Sequence, residues 1–147
     1  MKTTNVLPPT LEKIVQRFEQ IQDSRRRYEY LLSFAKQVPE LSAAECTSST
    51  RVPGCVSQVH IMAELTDQGK VQFRGMADAQ ITKGLLGILI TGLQGLTPAE
   101  ILQLTPNFIE RTGLNVSLTP SRSNGFYNMF RYIQQQAATL ATVPYSG

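Results

Sequence analysis

Between Gln58 and Arg74 apolar and polar residues alternate, and this short stretch decides what the rest of the chain can become. Val59, Ile61, Ala63 and Leu65 fall on one face of a strand, with Gln58, His60, Met62 and Glu64 on the other. Thr66-Asp67-Gln68-Gly69 has the composition of a hairpin turn. Val71 and Phe73, set against Lys70, Gln72 and Arg74, give the returning strand. The flanking segments repeat at helical spacing instead. One hairpin with helices before and after it is an α+β fold, a small antiparallel sheet packed by helices.

The helical segments have legible boundaries. Leu11, Ile14, Val15, Phe18 and Ile21 share a face, and Thr10 can cap their helix after Pro8-Pro9. Asp23 or Ser24 can cap a second helix carrying Tyr28, Leu31, Leu32, Ala35 and Val38, which Pro39 ends. The two are expected to run antiparallel. Residues 40–52, rich in small polar groups, read as a loop. Asp78 can cap a helix carrying Ile81, Leu85, Ile88 and Leu89. Gly84 and Gly87 weaken that helix by up to about 1 kcal/mol each relative to Ala, so close packing against the sheet is expected there. Thr97-Pro98-Ala99-Glu100 is a capping box with Pro at the first helical position. Thr105-Pro106 opens a short helix that Gly113 closes. Thr119-Pro120-Ser121 precedes a last helix with Phe126, Met129, Phe130, Ile133, Ala137 and Leu140 on one face. A single domain over residues 1–147 is expected, with its core at about 10–138 and flexible ends.

Composition removes several function classes. Hydrophobic content of 41% and charged content of 17% fit a globular chain and not a disordered one. Met1-Lys2-Thr3-Thr4-Asn5 lacks the apolar core of a signal peptide, and Leu85 to Leu96, broken by three glycines, is too short to cross a bilayer. The expectation is a reducing cytoplasm, where free thiols persist, with no membrane partner. The sequon Asn115-Val116-Ser117 then has no route to glycosylation. A net charge of +3 is mild, and Arg25-Arg26-Arg27 is the only basic run. It reads as a solvated helix face, with a protein-docking patch as the second reading and nucleic acid set aside.

Chemistry concentrates just before the hairpin, in Arg51-Val52-Pro53-Gly54-Cys55-Val56-Ser57-Gln58-Val59. Pro53-Gly54 suits the centre of a type II turn, and Cys55 closes it. A cysteine on a turn is presented, whereas an inert cysteine is usually buried. Arg51, four residues upstream, would enrich the thiolate. The single histidine, His60, is a poor partner for Cys55. On a continuous strand it would point to the opposite face about 16 Å away, at about 3.3 Å per residue. It reads as a half-exposed strand residue. Two cysteines and one histidine cannot fill a structural zinc site without carboxylates, and no phosphate-binding glycine motif occurs. No cofactor or metal of its own is expected. Three readings stay open: a thiol that accepts activated sulfur, a Cys46/Cys55 redox pair, and an inert buried thiol.

Three segments bring in a resemblance. Gly54-Cys55-Val56-Ser57-Gln58-Val59, Asp78-Ala79-Gln80-Ile81-Thr82-Lys83-Gly84-Leu85 and Leu118-Thr119-Pro120-Ser121-Arg122-Ser123-Asn124-Gly125 resemble, in order and spacing, segments of the SufE-type sulfur acceptors. The likeness runs from about Leu11 to Gln136. It implies an α+β fold similar to the IscU-type scaffolds. It also implies that Cys55 takes persulfide sulfur from a SufS-type cysteine desulfurase, which uses pyridoxal phosphate. The acceptor would stimulate that enzyme and pass sulfur to an iron–sulfur scaffold protein. Such a chain is a sulfur-transfer protein with a covalent intermediate, an activator more than a stand-alone enzyme. Arg51, Ser57, Gln58, Asp78 and Arg122 are the implied supporting residues. Asp78 either anchors the cysteine loop or caps its helix, and Lys83 reads as solvated. A non-catalytic desulfurase-docking adaptor is the alternative within the same setting. Two positions depart from the pattern: His60 stands where the family usually has an aromatic residue, and Met76-Ala77 replaces an acid and a hydroxyl.

Overall fold

The computed structural model describes residues 6–55 and 57–142. Its helices are α1 (Pro9–Gln20), α2 (Ser24–Ser33), α3 (Gln80–Leu93), α4 (Pro98–Leu102), α5 (Phe108–Thr112), α6 (Leu114–Ser117) and α7 (Pro120–Ala141). Its strands are β1 (Val59–Leu65) and β2 (Val71–Ala77), paired antiparallel from Val59↔Ala77 to Leu65↔Val71. The fold is α+β. The termini expected to be flexible, residues 1–5 and 143–147, lie outside the described residues.

Helix α3 organises the packing. Ten of its 14 residues are buried, so it is apolar almost all round and has to be covered from every side. Helices α1, α2 and α7, the 3-10 turn Phe34–Gln37 and strand β2 supply that cover. Gly84 and Gly87 meet α2 and the 3-10 turn and not the sheet, which corrects the expectation. A Cβ on Gly84 would lie 2.6 Å from the Leu31 carbonyl oxygen, and one on Gly87 would overlap the Phe34 carbonyl. Aromatic contacts complete the joints. Tyr30 packs between Phe18 (4.6 Å between centroids) and Phe34 (5.0 Å), and Phe108 of α5 sits edge-on to Phe126 (5.8 Å) on α7.

Caps follow the sequence in part. Asp23 accepts from the Arg25 N–H, and Thr97 and Glu100 form the reciprocal capping box. Gly113, with φ of 77°, ends α5 in the left-handed region. Thr119 caps α7. Thr10 caps nothing: α1 starts at Pro9, whose missing N–H needs no partner. Asp78 does not cap α3, for which Ala79 is the N-cap without a side-chain bond. The single turn α6 has no counterpart among the sequence signals.

Residues 40–52 are more ordered than a loop. Both free edges of the hairpin are covered by the chain that precedes it. Gly75 of β2 donates to the Pro39 carbonyl (2.8 Å) and accepts from Leu41 N–H (3.3 Å). On the other edge Val52 N–H donates to Val59 O (2.9 Å), and Ile61 N–H donates to Thr50 O (2.8 Å). This blunts two edges that would otherwise be open to pairing. It also buries His60, which is only 4% exposed; its Nδ1 lies 2.9 Å from Thr50 Oγ1. The expected half-exposed histidine is therefore a core residue, its ring met by Thr50 of the segment that pairs along the edge of β1. Between the two edge segments, Arg74 grips Glu45 through two parallel bonds (3.0 and 2.7 Å), and Glu45 also accepts from Ser42 N–H (2.9 Å). Arg74 and Ser42 pull the Glu45 carboxyl from its ordinary 4.5 down to about 2.

Two outcomes follow from these contacts. The folded Glu45 carboxyl is the stronger acid, so its contribution is full above pH 4.5 and vanishes as pH falls to about 2. Denaturation midpoints should decline across that window, and Glu45→Gln should flatten the decline. Gly87→Ala should lower stability by about 2 kcal/mol in urea titrations, overpacking outweighing its helix-propensity gain. Gly125→Ala, with nothing within 4 Å of the added carbon, should not.

Candidate functional site

The turn that carries Cys55 is tied down on both flanks. Thr50–Val52 and Val59–Ile61 run antiparallel alongside one another, so the Pro53-Gly54 turn starts directly at the end of a paired segment. Gly54 adopts φ of 80°, which a type II turn requires at its third position and which L side chains rarely accept. Beyond the turn, Gln58 N–H donates to Asp78 Oδ1 (3.1 Å), and Asp78 N–H donates back to Gln58 O (3.2 Å). Of the two roles open to Asp78, the structure selects the anchor. Before the turn, the Tyr132 hydroxyl of α7 donates to Ser49 O (2.7 Å), and Asn128 Nδ2 donates to Gly54 O (2.9 Å).

Cys55 Sγ is half-buried against the apolar core, 4.0 Å from the Gly125 carbonyl oxygen. It opens on a cleft of about 310 Å³ lined by Cys55, Ser57, Thr82, Thr119, Ser121, Arg122 and Gly125. Ser57 Oγ lies 3.5 Å from Thr82 Oγ1 at the cleft wall. The first turn of the 22-residue helix α7 forms another wall, which brings the positive end of its dipole there. Burial pushes the Cys55 thiol above its ordinary range, while the charge of the exposed Arg51 pulls the other way. The shelter wins, so the resting group is the protonated thiol. Arg122 is exposed at the rim, and its guanidinium has no hydrogen-bond or ion-pair partner among the described residues.

The sequence-predicted residues thus divide. Cys55, Ser57 and Arg122 line one cleft; Arg51 acts on the thiol through its charge; Gln58 and Asp78 hold the turn by backbone and carboxylate bonds. The exposed Gln58 side chain takes no part in these bonds. Cys46 follows the 3-10 turn Ala43–Glu45 and is not among the cleft residues; both thiols are free. Lys83, read as solvated, holds Glu40 at the sheet edge (3.3 Å). Sequence reading missed Asn128 and Tyr132. Their signal was polar atoms on or beside the buried stripe of α7, three and seven residues after Gly125, where only apolar contacts would be expected. Among the described residues no three His, Cys, Asp or Glu side chains gather where a metal ion could bind, and no helix is long and apolar enough to cross a membrane.

If Arg51 supplies the charge that opposes burial, Arg51→Ala should move the pH profile of Cys55 alkylation to higher pH. Peptide-resolved mass spectrometry can follow Cys55 against Cys46, whose profile should stay in place.

Comparison with known proteins identifies the family and the fold. The family model of SufE, the Fe-S metabolism associated domain, matches residues 12–137. An uncharacterised SufE-like protein of Synechocystis sp. is 54% identical over 131 residues, covering 89% of this chain and 82% of that protein. SufE-like protein 1 of Arabidopsis thaliana, named as chloroplastic/mitochondrial, is 39% identical over 134 residues; the match covers 91% of this chain and 36% of that longer protein. The solution structure of a hypothetical protein from Thermus thermophilus superposes with a TM-score of 0.80 at 27% identity, covering 94% of this chain and all of that one. A family match over nearly the whole described chain, with relatives that share it, makes this protein a member of the SufE family, with a role in Fe–S metabolism.

Proposed function

We propose that the chain is a sulfur acceptor that takes persulfide sulfur from a cysteine desulfurase onto Cys55 and delivers it for iron–sulfur cluster assembly. One observation carries this reading: the Cys55 sulfur sits at the mouth of a cleft whose rim holds an uncommitted guanidinium, Arg122. In the transfer, the Cys55 thiolate attacks the outer sulfur of the donor persulfide. The donor's sulfur–sulfur bond breaks, the donor cysteine leaves as a thiolate, and Cys55 carries the outer sulfur as its own persulfide. No net oxidation occurs. The charges of Arg51 and Arg122 and the N-terminus of α7 favour the anionic states of Cys55 before and after the step. Removing the donor's sulfur frees it for another turnover, which is how an acceptor stimulates the enzyme.

The donor in this reading is a SufS-type enzyme carrying pyridoxal phosphate, and the recipient is an iron–sulfur scaffold protein. The reaction calls for a reducing compartment such as the cytoplasm, because an oxidised Cys55 cannot accept sulfur. Docking on the donor has to uncover the sulfur from its seat beside Gly125.

Incubation with a desulfurase and labelled cysteine tests the proposal by intact mass. One reductant-labile sulfur should add to the protein and to Cys46→Ser, and none to Cys55→Ser. Labelling that needs Cys46 would point to the dithiol pair instead. Stimulation undiminished in Cys55→Ser would point to a docking adaptor.

A further inference from the structure

We infer that Asn128 is a positioning residue that latches the Cys55 turn in its sheltered state, and that breaking its bond to Gly54 makes the thiol accessible. The inference deepens the sulfur-acceptor reading but is tested without a sulfur donor.

Besides the backbone pairing of Thr50 and Val52 with β1 and the contact of Cys55 Sγ with Gly125, four side-chain contacts of the described residues tie the turn and its flanks to other elements, and they differ in kind. Tyr132 with Ser49, and Asp78 with Gln58, fix the chain outside the turn. Ser57 meets Thr82 only at 3.5 Å. Asn128 alone bonds the peptide that links Gly54 to Cys55, at 2.9 Å. Gly54 and Asn128 are also in packing contact, since a Cβ on Gly54 would lie 2.8 Å from Asn128 Nδ2. Asn128 follows Gly125 by three residues on α7, so both occupy one helix face. That face therefore receives the sulfur at the Gly125 carbonyl and the preceding carbonyl at Asn128.

The orientation of the amide is set as well. Arg131 Nη1 donates to Asn128 Oδ1 (3.4 Å), which leaves Nδ2 to face Gly54. The Asn128–Gly54 bond is solvent-exposed. Water or a partner's polar group can take its place without leaving a buried group unpaired, unlike a buried bond. An exposed single bond next to the reacting residue is suited to a state that must hold at rest and release on contact. No other described side chain donates to the Gly54 carbonyl in place of Asn128, the cationic Arg51, Arg122 and Arg131 included.

The test is the rate of Cys55 alkylation by iodoacetamide in the full chain, with Cys46 as reference thiol in the same tube. Asn128→Ala removes the amide, and Asn128→Leu keeps its volume without a donor. Both should raise the Cys55 rate relative to Cys46 by roughly fivefold, the weight of one hydrogen bond, with thermal midpoints near that of the unaltered protein. Asn128→Gln, which retains a donor, should fall between. Unchanged relative rates in both the Ala and Leu variants would overturn the inference. So would rates that rise equally at Cys46 and Cys55, because that reports general loosening of the fold. Because alkylation involves no persulfide, the latch can fail while sulfur acceptance stands, and the reverse.

Discussion

An α-helix that is apolar on every side cannot rest on the surface of a small protein. Burying α3 at about 25 cal/mol per Å² of apolar area is a large favourable term for this chain, and it constrains where the neighbouring elements go. Helices α1 and α2 approach from one side, α7 and β2 from others. The glycines of α3 let the α2 backbone and the following 3-10 turn come close enough that carbonyl oxygens touch the helix where a methyl group would stand. What those glycines forfeit in helix propensity is offset by dispersion contacts across that short distance.

Helix α7 links this core to the chemistry. Its apolar stripe, Phe126, Met129, Phe130, Ile133 and Ala137, is buried. Polar atoms flanking the stripe reach the chain segment that contains Cys55: Gly125 O meets the thiol, Asn128 the preceding carbonyl and Tyr132 the approach to the turn. At its C-terminal half Gln134 donates to the Ile101 and Leu104 carbonyls at the C-terminal end of α4. One rigid rod thus fixes the site relative to the core, and no separate scaffold for the cysteine is needed.

Much of this was readable from residue order, and the failures share a cause. The hairpin with its Thr66–Gly69 turn, the capping box at Thr97, the Gly113 stop and the positive φ of Gly54 depend on residues within four positions of one another, where sequence is an adequate guide. His60, the segment 40–52 and the glycines of α3 were misjudged because long-range contacts set their surroundings. Alternation along β1 predicts one wet face only if nothing shelters it, and Thr50, brought in by the chain paired along its edge, meets the His60 ring. The same distinction applies at the site. Cys55 and its turn were apparent, Arg122 came through resemblance, and Asn128 was invisible because its partner is 74 residues away.

The pairing of Val52 with Val59 has a geometric consequence for any journey the sulfur makes. A residue leashed at both ends travels no farther than its shorter leash. Cys55 stands three residues from Val52, so at about 3.3–3.6 Å per residue its Cα stays within roughly 10 Å of that point however the chain between them bends. Any hand-over must take place inside this small sphere above the start of β1. In the proposed transfer, the counterpart molecule would therefore have to supply the remaining distance, with a reach of its own.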